Sequence, residues 1–190
     1  MRLTTLCFLI RGNEVLLAMK KRGFGVGKFN GVGGKVSSGE AVLEAMIREA
    51  EEEIGVKIDA PEALPRAKLL FYFDERAAPW THSDADMARE SKSNYRSLPL
   101  RSSHRGLYFD GKPDWNQECH VFIAKKWQNE PTESDEMKPQ WFPMAQLPFE
   151  KMWIDDPHWL PKFLAGKSLE AEFHFNATGY ALLSRKVIMI

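Results

Sequence analysis

Between Gly34 and Val56 the chain concentrates acids: Glu40, then Glu49, Glu51, Glu52 and Glu53, with Arg48 just before the run and Gly55 just after it. Residues 40–54 hold no Gly or Pro and read as a helix, entered near Ser37 or Ser38 and stopped at Gly55. With Val42 at zero and about 100° per residue, Ala45 and Met46 fall at roughly 300° and 40°, which marks the inward face. Glu49, Glu52 and Glu53 land at roughly 340°, 280° and 20° and continue that face, whereas Glu44, Arg48 and Glu51 lie opposite. Three inward carboxylates repel one another and lose hydration unless a cation neutralises them. All-oxygen ligation suits a hard ion; Mg²⁺ is the usual partner of substrate phosphates, with Mn²⁺ able to substitute. The alternative, a solvated acidic face, is what most acidic runs are. The wheel weighs against it.

Two further groupings suggest a ligand. Gly31-Val32-Gly33-Gly34 precedes the helix, and a chain so poor in side chains lets backbone groups approach phosphates closely. Trp153 stands beside the acids Asp155 and Asp156. An indole stacks on any base, and polar groups at its edge select among bases. In an apolar pocket two adjacent carboxylates do not both ionise cheaply, so one holds a proton and the pair both donates and accepts. The competing reading makes them an N-cap, because residues 156–164 look like a short helix.

Elements must position these groups. Residues 3–10 and 15–19 read as strands joined by a hairpin through Arg11-Gly12-Asn13-Glu14. Residues 20–28 combine glycines with Lys20, Lys21, Arg22 and Lys28 and read as a mobile basic loop. Further strands are expected at 68–73, 119–127, 140–142, 170–175 and 180–188, giving an α+β or mixed α/β sandwich in a single domain over 1–190. Residues 75–115 break the pattern and form an insertion, basic over 89–105 and carrying Tyr95, Tyr108 and Phe109. A solvated loop is the first expectation for it, ahead of a lid or an oligomer contact.

The 190 residues balance 26 Lys and Arg against 26 Asp and Glu, so no global field draws the chain onto a nucleic acid or a membrane. The apolar start is too short to span a bilayer. Cys7 and Cys119 form no framework, which suggests a reduced, intracellular setting. A cytoplasmic monomer acting on small molecules is the expectation, with a mitochondrial or nuclear fraction allowed.

Gly34, Glu40, Arg48, Glu49, Ala50, Glu52, Glu53, Gly55 and Val56 fit G-x5-E-x7-R-E-U-x-E-E-x-G-U, with U aliphatic and Ala50 a small choice for it. This pattern resembles the Nudix box. The resemblance implies a Nudix fold, a mixed sheet with the catalytic helix and a second short helix, that hydrolyses nucleoside diphosphates linked to another group. It implies metal ligation by Glu49, Glu52 and Glu53, with the Gly33 carbonyl joining, and makes Glu53 and Glu136 candidates for the proton acceptor.

Residues 19–25, 27–36, 133–137, 147–149, 152–156 and 159–161, with Pro139, Trp141 and Phe142, are similar to the animal MutT-homologue branch of that family, the oxidised purine nucleoside triphosphatases. The similarity implies release of a monophosphate and pyrophosphate from 8-oxo-dGTP or oxidised dATP, sanitising the nucleotide pool. Residue by residue, Asn30 matches a base-edge contact, Asp155 and Asp156 the purine-reading acids, and Trp153 the stacking indole. Thr5, Lys20, Phe71, Phe73, Met137 and Trp159 match the pocket lining, and Glu136 an acid near the metals. Phe29 departs from the branch's tryptophan. The alternatives are a Nudix hydrolase of a dinucleoside polyphosphate, an ADP-sugar or an RNA cap, and a silent RNA-binding module, against which the three intact box carboxylates argue.

Overall fold

A computed structural model describes residues 1–23, 25–74 and 115–190. The insertion expected at 75–115 therefore lies, Trp115 apart, outside the described residues. In chain order the elements are β1 (Arg2–Arg11), β2 (Glu14–Lys20), β3 (Phe29–Asn30), α1 (Val42–Ile54), β4 (Ala63–Asp74), β5 (Gln117–Ala124), β6 (Met137–Pro143), α2 (Asp156–Leu164), β7 (Leu169–Asn176) and β8 (Leu182–Met189). Two short 3-10 turns, Ala60–Glu62 and Phe149–Lys151, were not foreseen from the sequence, and neither was the two-residue β3.

β1 is apolar on both faces because both are covered, the usual reason for an unbroken hydrophobic strand. Its odd residues Cys7 and Leu9 pack with Met46, Ala50 and Ile54 of α1. Its even residues Phe8 and Ile10 join Trp159, Leu160 and Phe163 of α2. Phe8 meets Trp159 and Phe163 edge-on, with centroids at 6.0 and 5.5 Å. The sheet is thus sandwiched between the two helices, the mixed α/β arrangement expected from the sequence. Cys7 and Cys119 fall in opposite cores as buried free thiols, and burial pushes each up to about 12.

The strand order is β3-β2-β1-β5-β4-β7-β8, with β6 also pairing β2. The β1–β2 hairpin forms through Gly12, at φ 59°, but pairs only Ile10 with Val15 and Arg11 with Glu14. The strands then splay: β1 runs parallel to β5, while β2 pairs antiparallel with β3 and β6. β7 adds parallel to β4, and β8 antiparallel to β7. No helix among the described residues is long and apolar enough to cross a membrane.

The start of α1 differs from the expected entry at Ser37 or Ser38. Ala41 is the capping position, with extended backbone and no side-chain acceptor. The Glu44 carboxylate accepts the Ala41 N–H at 3.2 Å instead, while the Ser37 N–H donates to Glu40 at 2.8 Å. Serine caps lost here because Glu40 ties up the turn before the helix. At the other end Gly55 stops α1 as expected, at φ 74°, its N–H reaching the Glu51 carbonyl at 2.9 Å.

An L side chain at Gly55 would meet both the left-handed backbone and the Thr132 hydroxyl, 3.0 Å from its Cβ. Gly55→Ala should therefore lower stability by about 1–2 kcal/mol. In urea the midpoint should fall at constant m; an unmoved midpoint would show that this stop contributes nothing.

Candidate active site

Where β1 parts from β2 its edge is taken by the glycine loop. Val32 exchanges hydrogen bonds with Cys7 at 2.6 and 3.0 Å, and Thr5 N–H donates to the Gly34 carbonyl at 2.8 Å. The approach is too close for side chains. A Cβ on Gly31 would lie 2.9 Å from the Cys7 carbonyl, and one on Gly33, at φ 149°, would overlap the Thr5 carbonyl. Gly33 N–H then points at α1 and donates to Glu53 at 2.8 Å.

Glu53 is 4% exposed. Burial pushes its carboxyl up to about 7; the Gly33 N–H and Lys20 oppose this, while the carboxylates of Glu49 and Glu136 reinforce it. Glu49 lies against Gly34, its side chain 17% exposed. Glu52 departs from the wheel's expectation: its side chain is 59% exposed and pairs with Arg48 at 3.0 Å. Glu51 faces solvent as expected, paired with Lys57.

Arg48 departs as well. Rather than lying idle on a solvated face, it bonds Glu40 twice, at 2.7 and 3.0 Å, Glu49 at 2.9 Å, and the Lys35 carbonyl at 3.2 Å. Its hydrogen bonds hold Glu40 down to about 2. Across the site Glu136 pairs with Arg22, which keeps that carboxyl below its ordinary range. Among the described residues no three acids converge on one point, because Arg48 draws Glu49 and Glu52 and Arg22 draws Glu136. The donor set still suits a hard divalent ion: every candidate is a carboxylate oxygen, and buried Glu53 sits among like charges that only a proton or a cation relieves.

The second grouping lies on the α2 side of the sheet. Asp155 and Asp156 are 3% and 2% exposed. Asp155 occupies the capping position of α2 yet makes no side-chain cap bond. Its carboxylate accepts the Trp159 indole N–H at 3.2 Å, and that of Asp156 accepts the Trp153 backbone N–H at 2.9 Å. Burial pushes Asp155 up to about 6 and Asp156 well above the ordinary range, helped by the neighbouring Asp155 charge. Asn30 turns its side-chain oxygen to the Gly31 N–H at 2.8 Å. Phe71 and Phe73 of β4 line the same side, stacked on Phe173 and Phe175 at 5.8 and 5.1 Å.

Three further residues expected to line the pocket are, like Asp155 and Asp156, buried. Trp159 is 1% exposed and belongs to the α2-side core, because it follows Asp156 by one helical turn and so faces the sheet. Met137, 3% exposed, is in the α1-side core. Thr5 is buried beside the glycine loop, its hydroxyl 3.5 Å from Gly34 N–H, since odd residues of β1 face α1. Sequence reasoning missed the anchoring of the basic loop, whose surplus charge was its only signal. Lys21 Nζ reaches the Ser134 carbonyl at 2.7 Å and Glu133 at 2.8 Å, and Lys28 Nζ reaches the Met152 carbonyl at 2.8 Å.

The two adjacent glycines should respond differently to alanine. At Gly33 the obstacle is the β1 backbone and φ is left-handed, so Gly33→Ala should cost more than about 3 kcal/mol. At Gly34 the obstacle is the movable Glu49 carboxylate. Gly34→Ala should cost under about 1 kcal/mol yet displace Glu49 and depress turnover. Thermal melts paired with kinetics test this; equal melting losses for both variants would contradict it.

The sequence profile of the NUDIX domain matches residues 1–163. The oxidized purine nucleoside triphosphate hydrolase of Danio rerio is 33% identical over 174 residues, covering 92% of this chain and 86% of the relative. The Mus musculus protein of the same name matches with the same identity and coverage. Among solved structures, a MutT protein from Bacillus halodurans superposes with a TM-score of 0.68 at 22% identity, over 98% of this chain and 97% of that one. A MutT NUDIX hydrolase from Burkholderia pseudomallei gives 0.50 at 23% identity, over 77% and 86%. By the matched profile, and by the box that the glycine loop and α1 embody, the chain belongs to the Nudix hydrolase family.

Proposed function

We propose that this chain is a Mg²⁺-dependent nucleoside triphosphate pyrophosphohydrolase acting on altered purine nucleotides, 8-oxo-dGTP and oxidised dATP among them, and releasing a monophosphate and pyrophosphate. The observation that carries the substrate class is the acid pair Asp155–Asp156, buried and adjacent, with neither carboxylate capping α2. The relatives' printed names point the same way.

A divalent cation held by Glu49, Glu52, Glu53 and Glu136 with the Gly33 carbonyl would neutralise phosphate oxygens and polarise the phosphorus. Arg48 bears on that set directly. It takes one oxygen of Glu49 and one of Glu52, which leaves the other oxygen of each for a cation, while Glu40 and the Lys35 carbonyl hold Arg48 in place. Of the two candidate proton acceptors, Glu53 holds a proton more tightly than Glu136, whose charge Arg22 stabilises.

Burial raises the proton affinity of both acids and their mutual repulsion adds to it, so the pair holds one proton between them. The pair therefore offers a donor and an acceptor side by side, and moving the proton lets one site accept oxidised guanine or oxidised adenine. β7 and β8, beyond the matched profile, extend the same sheet, in keeping with a single domain.

Chelation should silence turnover, and Glu53→Gln should lower it by at least about a hundredfold in a folded protein. Activity retained in EDTA, or orthophosphate as the first product, would refute this reading. For the base, Asp156→Asn should lower kcat/KM for 8-oxo-dGTP by roughly ten- to a hundredfold. Asp155→Asn should be milder there and should shift the ratio between oxidised guanine and adenine substrates. Equal losses on every base would show that the acids merely shape a helix.

Stability offers an independent check. A carboxyl whose folded pKa is raised takes up a proton on folding, so its favourable contribution is complete below the unfolded pKa and lost as pH rises. For Asp155 that decline runs from about 4 to about 6, and for Asp156 it continues higher. Asp156→Asn should flatten the fall in melting temperature above pH 4; an unaltered profile would place the titrating group elsewhere.

A further inference from the structure

Lys28 lies in the basic loop. Its Nζ donates to the Met152 carbonyl at 2.8 Å and stands 5.1 Å from the centre of the Trp153 ring. That separation is within the range of a cation–π contact. The backbone around Lys28 is closed by two bonds, Lys20 N–H to the Lys28 carbonyl and Lys28 N–H to the Gly25 carbonyl, both 3.0 Å. Gly25, at φ 82°, brings the loop so near the indole that a Cβ there would sit 2.8 Å from Trp153 Cζ2. The loop's other end is anchored across the site, where Lys21 N–H reaches the Glu136 carbonyl at 2.8 Å.

We propose that Lys28 is a positioning residue for purine binding, holding the Trp153 indole at a fixed height beside the Asp155–Asp156 pair by gripping the Met152 carbonyl and the ring together. The inference rests on the reading of Trp153 as the stacking slab. Trp153 stands between a 3-10 turn and α2. Lys28 and the Gly25 backbone bear on its ring from the basic loop. A restrained indole keeps its stacking surface available without reordering for each substrate, so the effect falls on binding rather than on chemistry. Stacking itself is indifferent to the edge pattern of the base, whereas the charge of Lys28 also acts on Asp155 and Asp156.

The test compares Lys28→Met, Lys28→Arg and Trp153→Ala with the wild type on 8-oxo-dGTP, oxidised dATP and dGTP, with melting temperatures recorded throughout. Lys28→Met should raise KM about tenfold or more on all three purines, with kcat changed less than about twofold. Lys28→Arg, which keeps a donor and a cation over the ring, should recover most of the loss. If Lys28→Met melts low, Lys28→Gln replaces it with the same expectation. An unchanged KM in the Lys28 variant alongside a raised KM in Trp153→Ala would overturn this inference and leave the pocket reading intact. An unchanged KM in Trp153→Ala would instead sink the pocket reading itself. A loss confined to kcat, or one that Arg does not repair, would also count against the positioning role.

Discussion

The site depends on one close approach, that of the glycine loop to the freed edge of β1. Backbone lies against backbone there, and the overlap that any side chain on Gly33 would make with the Thr5 carbonyl shows how little room is left. The contact turns the Gly33 N–H toward α1, where it meets Glu53, and brings Gly34 against Glu49. The splay of β1 from β2 is therefore a requirement. A hairpin paired along its whole length would occupy the edge that the loop uses, leaving the carboxylates of α1 with no backbone opposite them.

Charge is arranged around that contact so that nearly every acid near the site has a basic partner, and the exception is informative. Arg48 serves three carboxylates and a carbonyl, and Arg22 serves Glu136. Among the described residues Glu53 receives the Gly33 N–H and the field of Lys20, against burial and two like charges. The protein thus keeps one deeply placed carboxylate short of positive charge. On the other side of the sheet the aspartate pair repeats the arrangement, with the charge of Lys28 opposing its burial.

Much of this was legible in the residues, for identifiable reasons. The glycine loop, the stop at Gly55 and the inward turn of Glu49 and Glu53 follow from fixed spacing, because backbone geometry leaves them little freedom. Glu52 was misjudged because the wheel places it about 80° from the inward centre. There the Arg48 side chain one turn earlier decides its direction. Arg48 itself is long enough to reach around the helix to Glu40 and Lys35, which no angular rule captures. Trp159 and Met137 carry the right residue types for a pocket, and the turn of α2 and the alternation of β6 also make them members of the two cores, which residue type does not tell. Lys28 had no periodicity to betray it, since its partners are a carbonyl and a ring more than a hundred residues away.

The alternation along β1 ties the two halves of the site together in a way that bears on how such a chain can diverge. Thr5, Cys7 and Leu9 support the loop and α1, while Leu6, Phe8 and Ile10 support α2 and what stands before it. Substitutions can adjust either side separately. A single-residue insertion or deletion within the strand cannot, because it would exchange the two faces at once and set the residues of each core against the wrong helix. β1 should accordingly drift in side-chain size but hold its length, with variation in chain length displaced to connections such as the one that follows β4.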